Sequence, residues 1–194
     1  MSSYYDREAP VYDETRGGLA RAEAAARAVT ELVAGGGAAL DVAGGTGIVS
    51  EQLALRGFSV LVADLSVGML RQAATRLPGR AVVCSADRLA VRDASVDLVT
   101  TIWLLHLLPI AVADAVIGEA ARVLRVGGQF VTTVDKDLAH GRVRRTNADH
   151  GERVVDSAAR RGLRFVGGTS FEVTTRWASS GGVQRFAVSA FRRV

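Results

Sequence analysis

The chain has 194 residues, of which 48% are hydrophobic and 23% charged, the composition of an ordinary globular protein and not of a disordered or collagen-like one. Its net charge of +4 comes almost wholly from Arg scattered along the chain, with Lys136 the only lysine, so it lacks the concentrated basic face of a nucleic-acid binder. A single cysteine, Cys84, excludes an internal disulfide and a cysteine-rich metal site.

The first residues, Met1–Glu8, show no basic start followed by an apolar stretch, so no signal peptide is expected. Leu19–Val33, rich in Ala, Arg and Glu, predicts the first long helix. From about residue 38 two periods alternate. Short apolar runs at Ala38–Ala43, Ser59–Ala63, Arg80–Cys84, Val96–Leu105 and Gln129–Val134 predict buried parallel strands. Helical spacing fills the intervals at Val49–Arg56, Val67–Arg76 and Ala111–Leu124, and recurs at Gly151–Arg161. Breaks are expected at Gly35-Gly36-Gly37, Pro78-Gly79, Gly127-Gly128 and Gly162. The longest nearly charge-free run, Val96–Ala113, holds Asp97, two threonines and Pro109, so no membrane span is expected. Asp135–Asn147 is polar and basic and reads as a loop or partly helical lid. Leu163–Trp177 and Val183–Val194 are strand-like and flank Ser179-Ser180-Gly181-Gly182, which predicts an antiparallel pair at the end of an α/β sheet.

Leu40-Asp41-Val42-Ala43-Gly44-Gly45-Thr46-Gly47 follows a strand and opens a helix. Glycines there let the backbone turn sharply and approach a ligand. Asp64 ends the next strand, 17 residues beyond Gly47, where a carboxylate can accept both hydroxyls of a ribose. Loop and acid together point to a nucleoside-bearing cofactor. The nicotinamide fingerprint is nearly met, except that Ser50 stands where Gly or Ala is expected. A short-chain reductase would need a Tyr with a Lys four residues on, and every tyrosine lies in the first 12 residues.

At this point the chain resembles a class I S-adenosylmethionine-dependent methyltransferase. Asp41–Gly47 is similar to the family's glycine motif, with Ala43 where Gly is more usual and a spelling like that of quinone-biosynthesis methyltransferases. Val62–Leu70 resembles the second-strand motif, Ala86-Asp87-Arg88-Leu89 the adenine-binding turn, and Asp93–Val99 the entry to the fourth strand. Leu124–Phe130 resembles the turn before the fifth strand, with Val126 replacing the common Pro. Tyr5-Asp6 and Tyr12-Asp13 look like the amino-terminal cover of the cofactor.

The resemblance implies a three-layer, Rossmann-like α/β sandwich. Its seven-stranded, mostly parallel sheet would run in the order 3-2-1-4-5-7-6 with an antiparallel last strand. It implies one methyltransferase domain over 1–194, with 1–35 as cover and first helix and 36–194 as the core; the single cysteine and the lack of a signal-like start lead to the expectation of a cytoplasmic protein. The implied cofactor is S-adenosylmethionine, leaving as S-adenosylhomocysteine, and the implied partner is a small-molecule acceptor with an O, N or C nucleophile. Ala43, Gly44, Gly45 and Gly47 would face the amino-acid portion, with Asp41 orienting the loop and Tyr12 in the cover. Asp64 would take the ribose diol, Asp87 the adenine amino group, and Arg88 or Ala86 would offer backbone N–H groups to the ring. Leu65 and Leu89 would sandwich the adenine, with Met69 beside them. A non-catalytic cofactor-binding protein, an RNA or protein methyltransferase and an NAD-binding oxidoreductase stay open as alternatives.

Methyl transfer from a sulfonium needs the nucleophile, methyl and sulfur held in line and water excluded. A hydroxyl nucleophile would also need a base. His106 ends the fourth expected strand, at the edge where ligands of open α/β sheets bind, and is the expected catalytic contact. His140 and His150 are the weaker candidates, and Trp103 reads as core or pocket wall.

Overall fold

The computed structural model describes residues 2–136, 147–174 and 182–194. The polypeptide begins with three short helical pieces: α1 (Ser2–Glu8), a 3-10 turn (Ala9–Val11) and α2 (Tyr12–Thr15). There follow α3 (Gly18–Leu32), β1 (Gly37–Val42), α4 (Ile48–Ala54), β2 (Phe58–Asp64), α5 (Val67–Arg76), β3 (Ala81–Val83) and β4 (Val96–Thr101). A second 3-10 turn (Leu105–Leu107), α6 (Ile110–Val123), β5 (Leu124–Val134), α7 (Gly151–Ala159), β6 (Leu163–Thr174) and β7 (Val183–Arg193) complete it. The strands form one sheet in the order 3-2-1-4-5-7-6, as expected. β1 to β5 are parallel, and β7 runs antiparallel between β5 and β6.

The period of two along each strand sorts the core into two layers. Ala39, Leu98 and Val131 face α3 and α4, where Ala25, Val29 and Leu53 are buried. Leu40, Val99 and Phe130 face α6 and α7, where Ile117, Val154 and Ala158 are buried. Alanines on α3 let that helix lie close to the sheet, and Phe130 stacks on Phe191 across the β5–β7 pair with centroids 5.9 Å apart.

Most boundaries shift by one or two residues, and two differ by more. β4 ends at Thr101 and not at Leu105, because Trp103 takes a left-handed backbone, φ 61°, that no strand can continue. β5 begins five residues early and runs through Gly127-Gly128 as a bulged strand, not a break. A Cβ at Gly128 would lie 2.9 Å from the Arg125 carbonyl oxygen and 3.1 Å from that of Asp97, so only glycine admits this approach. The expected lid at 135–147 and the expected hairpin turn at 179–182 lie largely outside the described residues, as does His140.

Candidate active site

The carboxyl ends of β1, β2 and β4 open onto a cavity of about 280 Å³, roofed by the amino-terminal segment. Ala43, Gly44, Gly45, Asp64, Leu65, Met69, Asp87 and Tyr12, all named as cofactor contacts in the sequence analysis, line it. Ile102, Leu104, Leu107 and Leu108 add an apolar wall from the β4–α6 connection.

The glycine loop follows from local constraints. Ala43 and Gly45 adopt left-handed backbones (φ 56° and 59°), and Gly47 does so at the start of α4. A Cβ on Gly44 would lie 2.8 Å from Asp41 Oδ2, so the loop closes over that side chain. Asp41 is only 2% exposed: its carboxylate accepts from Ser50 Oγ at 2.5 Å and Thr100 Oγ1 at 2.7 Å. Burial raises its pKa, against the pull of those two hydroxyls. The carboxylate thus ties β1, β4 and α4 together beneath the loop. Ser50, the residue that breaks the nicotinamide fingerprint, is one of its two hydroxyl partners.

Asp64 sits at the end of β2 with both oxygens engaged from the protein side. Gly45 N–H donates to Oδ2 at 3.0 Å and Ser66 N–H to Oδ1 at 2.8 Å. A carboxylate has about four lone-pair sites, so acceptor capacity remains for a diol. Burial raises this carboxyl also, although the backbone N–H groups oppose it. Asp87, more exposed, accepts from Ser85 Oγ.

The cover is latched by two Tyr-Asp pairs seven residues apart. Tyr5 and Tyr12 line the cavity, their rings 6.2 Å apart. Asp6 accepts from Ser66 Oγ at 2.6 Å and Gly68 N–H at 2.8 Å, at the start of α5. Asp13 accepts from Thr46 Oγ1 at 2.6 Å and pairs with Arg76 at 2.7 Å, while Arg76 also donates to the Thr46 carbonyl. The sequence reading missed these latches; the repeated Tyr-Asp pair was their only signal.

Four expected contacts do not line the cavity. Gly47 serves the turn and a close helix approach instead: a Cβ there would meet Ala73 at 3.0 Å. Arg88 spends its backbone N–H on the Ser85 carbonyl at 3.1 Å, closing a tight turn. Leu89 is 6% exposed and belongs to the core, its N–H donating to Glu119 Oε2 at 2.7 Å and its carbonyl accepting from Arg122. His106 is 5% exposed, with Nε2 2.9 Å from Lys136 Nζ. After the bend at Trp103, the 3-10 turn repeats every three residues, so Leu104 and Leu107 face the cavity while Leu105 and His106 turn inward. His150 holds the position preceding α7.

Residues 40–132, from β1 to β5, match the model of the methyltransferase domain. Over that segment, just under half of the chain, the match is to a methyltransferase domain, and its relatives are S-adenosylmethionine-dependent methyltransferases. Over 111 residues the chain is 38% identical to the ubiquinone/menaquinone biosynthesis C-methyltransferase UbiE of Stenotrophomonas maltophilia, covering 52% of this chain and 43% of that one. Over 93 residues it is 41% identical to the demethylmenaquinone methyltransferase of Beutenbergia cavernae, covering 47% of this chain and 38% of that one. The chain therefore spans less than half the length of these relatives. Among solved structures it is similar to the PH0226 protein of Pyrococcus horikoshii OT3, with TM-score 0.77, 19% identity and full coverage of both chains. It is also similar to the [4+2]-cyclase SpnF, with TM-score 0.73, 18% identity and 99% and 95% coverage. At such identities the likeness is one of fold. Among the described residues, no helix is long and apolar enough to cross a membrane.

Proposed function

We propose that this chain transfers the methyl group of S-adenosylmethionine to a small, largely apolar acceptor. The observation that carries the reading is Asp64 at the carboxyl end of β2, beside the glycine loop, in a cavity with room and polarity for a nucleoside. When bound, the cofactor supplies an electrophilic methyl on a sulfonium, whose sulfur leaves as a neutral thioether.

The chain's own residues then have five tasks. Asp64 accepts from the ribose diol, and its two backbone donors hold the carboxylate in place for that purpose. Leu65, Met69 and Ala86 enclose the adenine, with Asp87 accepting from its amino group. The backbone at Ala43–Gly45 meets the amino-acid end. Tyr5 and Tyr12 exclude water from above, while Ile102, Leu104, Leu107 and Leu108 seat the acceptor. With His106 turned away from the cavity, catalysis rests on positioning and desolvation rather than on that imidazole. The named activity of the UbiE relatives, C-methylation in quinone biosynthesis, favours a carbon nucleophile on an aromatic acceptor.

The test is direct. The purified protein should bind S-adenosylhomocysteine by calorimetry and melt higher in its presence, by about 2.7 kcal/mol of stabilisation at 100 times the dissociation constant. It should also convert S-adenosylmethionine to S-adenosylhomocysteine with at least one member of a panel of phenols, quinols and small acids. A shift with NAD and none with S-adenosylhomocysteine would overturn the reading.

A further inference from the structure

Arginines that are scattered in the sequence are gathered by the fold at one corner. Arg160 and Arg161 follow α7, Arg164 opens β6, and Arg192 and Arg193 close β7. The register of the last two strands brings these ends together, with Leu163 opposite Arg193 and Arg164 opposite Arg192. The corner lies where the parallel strands begin, at the opposite edge of the sheet from the cavity. Arg193 donates there to the carbonyl of Leu124, the first residue of β5, and to that of Arg122.

The charge of this corner is uncompensated. Asp93, Glu119 and Asp97, acids on the same side of the sheet, are taken by Arg122 and Arg125. Among the described residues none of the corner arginines is in an ion pair, not even Arg160 with Asp156 one helical turn before it. Arg164 and Arg192, both exposed, stand directly opposite each other, and like charges so placed are destabilising.

Beside the corner the sheet ends in an open strand. β6 is the last strand of the sheet and, among the described residues, pairs with β7 alone. Its register slips at Val166 and then runs unbroken from Gly167 to Thr174, so the outward backbone groups of that run have no strand partner. Phe165 and Val166, 47% and 39% exposed, stand between this run and Arg164.

We propose that β6 is a docking edge for an extended segment of another protein, one that adds as a further strand along Gly167–Thr174 and carries an acidic flank to Arg164 and Arg192. The strand supplies the backbone groups that the edge lacks. The flank supplies carboxylates, which guanidinium forks hold by both oxygens. A nucleic acid would use the arginines and leave the strand backbone unpaired. A second copy of this chain would bring the same arginines and, in its own β6, the single acid Glu172, which already pairs with Arg185 at 2.5 Å. The inference does not depend on the methyl acceptor, because corner and cavity lie at opposite edges of the sheet.

The test uses the full chain and fluorescent synthetic peptides. The first peptide alternates Thr and Val over the length of a typical strand and continues into a run of Glu. The second has the reverse order, since the added strand can run either way. The third carries Lys in place of Glu, and the fourth is methylated on all nitrogens of its strand segment, which removes the donors and keeps the charge. By anisotropy the wild type should bind one of the Glu peptides at least roughly tenfold more tightly than the Lys peptide, and methylation should abolish that binding. Arg164→Gln combined with Arg192→Gln should weaken the Glu peptide by roughly threefold to tenfold, as loss of two exposed ion pairs predicts. The same variant should melt no lower than the wild type, because a like-charge contact is relieved, and should bind S-adenosylhomocysteine within about twofold of it. Equal binding of Glu and Lys peptides, or full affinity in the double variant, overturns the arginine assignment. Undiminished binding of the methylated peptide overturns strand addition. A single-stranded oligothymidylate that binds more tightly than both Glu peptides and displaces them makes the occupant a nucleic acid. A free protein that sediments as a dimer which neither Glu peptide dissociates makes it a second copy. Either result overturns the proposal.

Discussion

Replacing Asp64 with Asn changes one atom and should disable the nucleoside site in a way the structure specifies. The two oxygens of Asp64 have different partners, Gly45 N–H at 3.0 Å and Ser66 N–H at 2.8 Å. A carboxamide has a single oxygen. Whichever way the Asn amide turns, its NH₂ faces one of those backbone donors, so no flip rescues the site. Leaving one partly buried N–H unpaired costs about 1–3 kcal/mol of stability. For a chain of this length that lowers the melting temperature by roughly 2–4 °C per kcal/mol. The ribose separately loses its charged acceptor, worth about 1.5–3 kcal/mol, or roughly a 10- to 150-fold weaker dissociation constant. Calorimetry with S-adenosylhomocysteine measures the second effect and chemical denaturation of the free protein the first. A variant that stays folded and binds S-adenosylhomocysteine as tightly as the wild type would refute the ribose assignment.

Gly68→Ala should lift α1 from α5, since the added Cβ would lie 2.8 Å from Asp6 Cα and 2.9 Å from its carbonyl oxygen. Trypsin should then cut at Arg7 faster and S-adenosylhomocysteine bind more weakly; an unchanged digestion rate counts against the latch. His106→Gln should lower the melting temperature but leave S-adenosylhomocysteine affinity within about twofold, because the imidazole is buried away from the cavity. A large affinity loss at unchanged stability would contradict that placement. Glu119 accepts from Arg122 and from the Leu89 N–H, and these bonds hold its carboxyl below the usual carboxylate range. Its folded pKa is lower than its unfolded one, so its stabilisation is present above the ordinary Glu range and is lost as pH falls through the folded value. Melting curves of wild type and Glu119→Gln should therefore differ at pH 7 and converge at acid pH; a difference that grows on acidification would refute the argument.

Local pattern carried most of the fold. Helix α5 was legible to the residue because Val67–Arg76 has both the apolar spacing and a Ser66 cap, whose hydroxyl accepts from Met69 N–H at 3.1 Å. The alternation of strand and helix, the antiparallel tail and the resemblance led to the sheet order that the structure has. Ala43–Gly45, Asp64, Leu65 and Met69 were legible as cavity residues for the same reason: each lies within a few positions of a strand end, and parallel strands place those ends on one edge.

Tertiary structure decided whatever depends on a partner far along the chain. Trp103 N–H donates to Thr133 Oγ1, 30 residues away, at 2.7 Å, and the left-handed turn held there rotates His106 into the core. Leu89 is drawn inward by Glu119 and Arg122, which no reading of the Ala86–Leu89 turn could foresee. Arg21 is one of the scattered arginines of the sequence, in an alanine-rich helix, and only the fold lays it over Trp103. Periodicity tells which face of an element is buried, because that follows from the pitch of its own backbone. Which atoms meet across that face depends on how separate elements pack, and those distances exist only in the folded chain.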